Sequence, residues 1–355
     1  MSSINTASEN RKRVTSLGLV VAIAAGVLFA YFVKRAGVGQ ITAGIRNLGI
    51  GFVLILAISS VRQLARSIAW VFCAEGNRLR FPDALRARLM GDAIGNILPF
   101  ASFIVSEPAK PALIRDRVPL TTGLSSIVIE NIFYSISVII FITTGMVTAL
   151  LTFNSNVFRI ASLVTFAAIF IIVILGGLCL RREIRVLSGV VGLFQRWFPK
   201  GIDRARAIEE QVYGFHRRHR SRFLPILFFE GCFHCAGVLE IYTTLWFISP
   251  AQPPTLFKAF ILESVNRLIS MIFKFIPLRL GVDEAGTAKV SALLQFSEPA
   301  GVTLAIIRKA RDLFWSLIGV GLLFHRQITL RRQPLKAGEN FIQEREPDLM
   351  MLGGN

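Results

Sequence analysis

Runs of about 20 mostly apolar residues recur along this chain, separated by clusters of Arg and Lys, and that length is what an α-helix needs to cross a hydrocarbon core. Within lipid every backbone N–H and C=O has to be satisfied inside the segment, so such runs are expected to be helical spans. Five long runs stand out: Val14 to Val33, about Leu48 to Cys73, about Ser126 to Leu151, Ile160 to Leu180, and Phe223 to Ser249. A further span ends at Phe324, before His325 and Arg326. A mean hydropathy of +0.57 excludes an ordinary water-soluble domain.

The charge distribution sets the expected topology. The chain carries 40 Lys and Arg against 22 Asp and Glu, a net charge of +18. These cations lie between the apolar runs, as in loops kept on the cytoplasmic side near anionic headgroups, so nucleic acid is not expected as a partner. The stretch from Arg181 to Arg222 holds eleven Arg or Lys against four Asp or Glu and anchors the map on the inside. Both termini, the Glu75 to Arg88 loop and the Lys110 to Arg117 loop then also fall inside. Arg11, Lys12 and Arg13 before Val14 to Val33 read as an uncleaved signal anchor. Leu193, Phe194, Trp197 and Phe198 suit a short helix in the headgroup region. Cys232 and Cys235 form a C-x-x-C without a second ligand pair, so no metal and no cofactor are expected.

Two segments fail as ordinary spans. Leu89 to Val105 is short, carries Asp92 and Asn96, is broken by Pro99, and has basic flanks on one side of the membrane. Phe257 to Ile276 is broken at Pro277 and Gly281, and a shorter apolar piece follows from Val290 to Phe296. Irregular backbone at membrane depth survives only against protein or a wet cavity, so both read as re-entrant hairpins, the first entering from inside and the second from outside. GNILPFASFIVSEPAK, from Gly95 to Lys110, and FKFIPLRLGVDEAGTAK, from Phe273 to Lys289, share an order: Pro, then Glu (Glu107, Glu284), then Lys, then a charged span opening at Glu130 or Arg308. The expectation is an all-α polytopic membrane bundle of about six full spans and two re-entrant hairpins, in two inverted repeats. A cytoplasmic segment 1–13 precedes a transmembrane domain 14–325, with repeat A at about 48–180, repeat B at about 223–324 and a basic cytoplasmic loop at 181–222. The tail 326–355 is expected to be cytoplasmic and unstructured.

Ionisable residues within spans cost about 2.5 to 3.5 kcal/mol each and mark wet or functional interiors. Glu263, Arg267, Ser270 and Lys274 share one helical face, as do Arg88, Asp92 and Asn96. Arg308, Lys309, Arg311 and Asp312 open the last span. Guanidinium groups bind phosphate oxygens in parallel pairs, and a Lys acts as a point charge. The candidate headgroup cavity therefore comprises Asp92, Asn96, Glu107, Lys110, Glu130, Glu263, Arg267, Lys274, Glu284, Arg308 and Arg311, between hairpins broken at Pro99, Pro277 and Gly281. The competing expectation is mutual neutralisation, Glu263 with Arg267 and Glu130 with Arg311, while Arg62 and Arg66 snorkel to the interface. Glu230 and His234, four apart, form either a proton relay or an interhelical hydrogen bond.

The GNILP element at Gly95 to Pro99, followed by Glu107 and Glu130, resembles the lysylphosphatidylglycerol synthase transmembrane region, or flippase-like domain, family. Pro277, Leu280-Gly281 and Glu284 resemble its P-x-x-x-G-x-x-E element, and Arg308 or Arg311 its later span arginine. The resemblance runs from about Leu48 to Phe324. The chain departs from the family pattern at Phe100, Ala101 and Ser102, where glycines are usual, and at Asn131, where Arg is usual. The resemblance implies lipid translocation, of aminoacylated phosphatidylglycerol in the bifunctional members and with a hopanoid role in another branch. The bifunctional members carry an additional soluble aminoacyl-transferase domain, and no counterpart of it is expected after Phe324.

The expected function is movement of a polar or anionic lipid across the inner, cytoplasmic membrane, without catalysis. The rivals are a membrane enzyme acting on a lipid carrier through Glu107, Glu284 or Glu130, and an accessory subunit of a lipid-synthesis complex. Expected partners are the lipid itself, anionic lipids at the cytoplasmic face, and a second copy of the chain or a lipid-synthesis enzyme.

Overall fold

The computed structural model describes residues 48–77, 79–97, 102–153, 156–182, 185–193, 201–250, 252–273 and 281–343, with Gly39, Thr42 and Arg46 before them. Among the described residues the regular elements are eleven α-helices and two short 3₁₀ turns. In chain order they are α1 (Ile50–Cys73), α2 (Phe81–Ile97), α3 (Ser102–Leu113), α4 (Leu120–Thr152), α5 (Asn156–Arg181), α6 (Val186–Leu193), α7 (Gly201–Arg218), α8 (Phe223–Ile248), α9 (Leu256–Ile272), α10 (Val282–Leu293) and α11 (Glu298–Gln343).

Four helices among the described residues are long and apolar enough to cross a membrane: α1, α4, α5 and the one ending at Ile248, which is α8. Their large apolar side chains stay exposed, including Leu54 on α1, Phe170 and Ile171 on α5 and Phe228 on α8, as lipid-facing surfaces require. The expected span Val14 to Val33 lies outside the described residues. α11 has the length to cross but carries Arg308, Lys309, Arg311 and Asp312. It runs as helix to Gln343. Arg326, Gln327, Leu330, Arg331 and Arg332 are good helix formers and carry the helix past the apolar run.

Both interrupted segments are antiparallel helix pairs. In the first, Ser106 of α3 donates to the carbonyl of Gly91 in α2 at 2.9 Å, and Lys110 pairs with Asp92 at 2.9 Å. In the second, Thr287 of α10 donates to Asn266 of α9 at 3.1 Å, and Gly286 faces the Ile269 side chain. The chain therefore reverses direction between α2 and α3 and between α9 and α10. The prolines themselves, with residues 98–101 and 274–280, lie outside the described residues.

The two hairpins open at opposite ends of α4. Near its start, Ile127 packs with Ala84 at the base of α2 and with Ile114 just past α3. Near its end, Ala149 packs with Ala259 at the base of α9 and with Val290 and Leu294 at the end of α10. Ile127 and Ala149 are separated by about 33 Å at about 1.5 Å per helical residue, close to the thickness of a hydrocarbon core of about 30 Å. The helices of the basic loop sit at the first of these ends. Ser125 donates to Gln211 of α7, and Phe215 of α7 packs with Phe133 of α4. α6 is held to α7 by Glu209, which accepts from the amides of Leu187 at 2.7 Å and Ser188 at 3.1 Å.

The packing crosses over between the two halves of the chain. α1 lies along α8; α2 packs on α11, and α9 packs on α4. A glycine admits each hairpin arm. A Cβ at Gly319 of α11 would strike the Leu89 carbonyl and Ala93 of α2, and one at Gly145 of α4 would strike Ser264 of α9.

Candidate functional site

The helix seams enclose a column of charge instead of the apolar packing usual between spans. It begins at the end of α4 nearest the basic loop, where Glu130 Oε1 accepts from Arg66 Nε of α1 at 2.9 Å and from Arg88 of α2 at 2.9 Å. Glu130 and Arg88 are almost fully enclosed. One helical turn further along α1, Arg62 binds Glu240 of α8 at 2.9 Å. Arg311 of α11 binds the other oxygen of Glu240 and also pairs with Asp312 at 2.6 Å. On α9, Arg267 pairs with Glu263 one turn away. In low dielectric these attractions are strong, and each buried charge requires its partner.

An aromatic ring joins the pairs. The guanidinium carbons of Arg62, Arg267 and Arg66 lie 4.6, 4.9 and 5.6 Å from the centroid of Phe233 on α8. Arg66 also lies 3.9 Å from the Tyr134 ring of α4. Three like charges around one ring are held apart by their carboxylates while each gains from the ring quadrupole.

The candidate residues fall into four groups. Asp92, Glu107 and Lys110 form one cluster in the first hairpin, with Lys110 bound to Asp92 at 2.9 Å and to Glu107 at 2.8 Å. Asn131 donates to Glu107 at 2.9 Å, so the residue that departs from the family pattern completes this cluster. Lys110 is 1% exposed and Asp92 36%, so the buried cation backs an accessible carboxylate. Asn96 donates to Ser316 of α11 at 2.9 Å, which ties the first hairpin to the last long helix. Glu284 caps α10, accepting from the Gly281 amide at 2.8 Å, and pairs with Lys309 of α11. Gly281 sits at φ 84, the left-handed region where glycine is favoured, which explains its place after the break. Lys289, the sequence counterpart of Lys110, is exposed, and the cation at Glu284 comes from α11 instead.

The expected pairing of Glu263 with Arg267 is present. Glu130 does not meet Arg311: Glu130 takes Arg66 and Arg88, and Arg311 takes Glu240 and Asp312. Arg62 and Arg66 do not snorkel to the interface, because acids on α8 and α4 draw them inward. Lys274, Pro99 and Pro277 lie outside the described residues.

Arg308 stands apart. It is 9% exposed, its Nη1 has no hydrogen-bond partner, and it makes no ion pair among the described residues. It nevertheless acts electrostatically on Glu263, so it belongs to the same polar centre. Sequence inspection did not assign Glu240, which receives two arginines, or Phe233, which gathers three. Their only signals were an acid and an aromatic within an apolar helix.

These features define a polytopic helical membrane protein whose interior is organised by charge. The chain belongs to the lysylphosphatidylglycerol synthase transmembrane region family, whose sequence profile matches residues 16–321. It is therefore a membrane-embedded protein of lipid metabolism or transport. A search of the curated proteins and a search of the solved structures each found no match.

Proposed function

We propose that this chain is a lipid carrier that moves a polar or anionic lipid between leaflets of the cytoplasmic membrane without making or breaking a bond in it. The observation that carries this reading is Arg308, an enclosed guanidinium that makes no ion pair among the described residues. A cation in that position is costly unless an anion meets it, and a lipid phosphate supplies parallel acceptor oxygens. The acyl chains stay in the bilayer while the headgroup enters between the hairpins, where Asp92 and Glu284 present partly exposed carboxylates to any amine it bears.

Two further features support a carrier. The hairpins open at opposite ends of α4, and their arms cross-pack on α4 and α11 in matching fashion. That packing supports an inverted-repeat reading, in which rocking of one half on the other exposes a central site alternately. The base of the first hairpin and α7 carry Arg80, Arg86, Arg115, Arg117, Arg204 and Arg206, which supports assigning that end to the cytoplasm, near anionic lipid.

The test is reconstitution of the full chain into proteoliposomes with labelled anionic and zwitterionic phospholipids, comparing native protein with Arg308→Ala. The reading expects leaflet exchange in native vesicles, strongest for the anionic lipid, and its loss in the variant. Equal exchange in native, variant and empty vesicles sinks it, and chemical conversion of the lipid favours an enzyme.

A further inference from the structure

We propose that Glu130 and Glu230 form a carboxyl pair sharing one proton at the seam of the two halves, and that taking up and releasing this proton drives the movement of the lipid. The first part stands on geometry alone, and the second rests on the lipid-carrier reading above.

Glu130 on α4 and Glu230 on α8 are both 0% exposed. Both stand beside one guanidinium, that of Arg66 on α1. Neither oxygen of Glu230 finds a hydrogen-bond donor among the described residues, and neither does Oε2 of Glu130. The nearest cation does not repair this. Arg66 stands 3.9 Å from Glu230, against 2.7 Å from Glu130, which it serves together with Arg88.

A second ionised carboxylate there would stand beside the first with neither of its oxygens accepting a hydrogen bond, and such an enclosed carboxylate has lost its hydration without return. One proton removes both problems. A protonated Glu230 becomes a donor, and the unpartnered Oε2 of Glu130 is the acceptor that it reaches.

The groups facing the pair are Arg66, Cys73 and, through Arg66, Tyr134 on the neighbouring turns of α1 and α4, with Arg88 from α2. On α8 itself, His234 lies one turn on, with Nε2 3.1 Å from Ser137 of α4 and Nδ1 without a partner. His234 is thus placed to pass the proton along the same seam. When both acids are ionised, Arg66 and Arg88 are balanced by Glu130 and Glu230. With the proton in place the four carry one net positive charge, which favours the entry of an anionic headgroup between the same helices. Both acids are enclosed in this conformation, so the proton is exchanged with water only when α4 and α8 part. Its differential binding to the two arrangements biases them.

Two measurements test the proposal. Infrared difference spectra of the purified full chain across a pH titration should show the carbonyl stretch of an enclosed protonated carboxyl at neutral pH. That band should disappear in Glu230→Gln and in Glu130→Gln, and persist at a shifted frequency in Glu230→Asp, which retains an acid. Absence of the band from native protein, or its survival in both glutamine variants, overturns the shared proton whether or not the chain moves lipid. In proteoliposomes, an imposed pH gradient should accelerate exchange of a labelled anionic phospholipid in one direction, with this response lost in Glu230→Gln. Native exchange that ignores the gradient overturns the coupling and leaves the carrier reading intact. An absence of native exchange overturns the carrier reading and the coupling together, while the infrared result still decides the proton.

Discussion

Arg62 of α1 and Glu240 of α8 are bonded at 2.9 Å across 178 residues of sequence, and Arg311 of α11 closes on the same carboxylate from the other side. Glu240 thereby holds together the two central helices and the last long one. Deleting one partner of a buried ion pair leaves the others uncompensated, at a cost of about 3 to 5 kcal/mol. Glu240→Ala should therefore lower the thermal unfolding temperature in detergent markedly. Arg62→Met should lower it less, because Arg311 remains to neutralise the acid. Equal unfolding temperatures for Glu240→Ala and native protein would refute this role.

Arg308 should behave in the opposite way. It breaks no ion pair among the described residues when removed, so Arg308→Met is expected to leave the unfolding temperature unchanged or raise it. The same variant should abolish lipid exchange, and Arg308→Lys should restore part of it, since a point charge replaces a forked donor. Transport without loss in Arg308→Met would mean that this arginine only packs.

Much of this arrangement was legible in the sequence because its signals were local. Pro99 and Pro277 interrupt apolar runs, and the helices flanking each run, α2 with α3 and α9 with α10, lie antiparallel, with contacts such as Ser106 to Gly91. Glu263 and Arg267 lie one turn apart, so their pairing follows from helix geometry alone. The partners of Arg62 and Arg66 were not legible, because an arginine near a span end looks the same whether it snorkels or is drawn inward by an acid on another helix. The choice was made by Glu240 and Glu130, which only the tertiary packing brings near. The same limit misassigned Lys289: motif order matched it to Lys110, but Lys309 of α11 reaches Glu284.

The glycines at the crossed contacts give a prediction about packing that is independent of charge. Gly319 lets α2 lie against α11, and Gly145 lets α9 lie against α4. In both places a Cβ meets backbone or a short side chain, so relief requires the helices to separate. Gly319→Val and Gly145→Val should each destabilise the protein by about 1 to 3 kcal/mol, the range for overpacking. Thermal unfolding of the purified variants measures this, and a conservative variant at the unobstructed Gly231 serves as the control. An unfolding temperature unchanged by either valine would show that the helices do not approach so closely.

The opposed hairpins make a prediction that needs no ligand. Arg115 follows α3 at the base of the first hairpin, and Gln295 follows α10 at the base of the second; both are exposed. Since the two bases lie at opposite ends of α4, cysteines introduced there should face opposite sides of the membrane. In sealed cells carrying a chain whose native cysteines are replaced, a membrane-impermeant thiol reagent should label Gln295→Cys at once. Arg115→Cys should be labelled only after the membrane is opened, if the arginine-rich end follows the positive-inside rule. Labelling of both from the same side would contradict the opposed hairpins. Reversal of the two would leave the hairpins opposed but invert the chain, and with it the direction from which the lipid headgroup first meets Arg308.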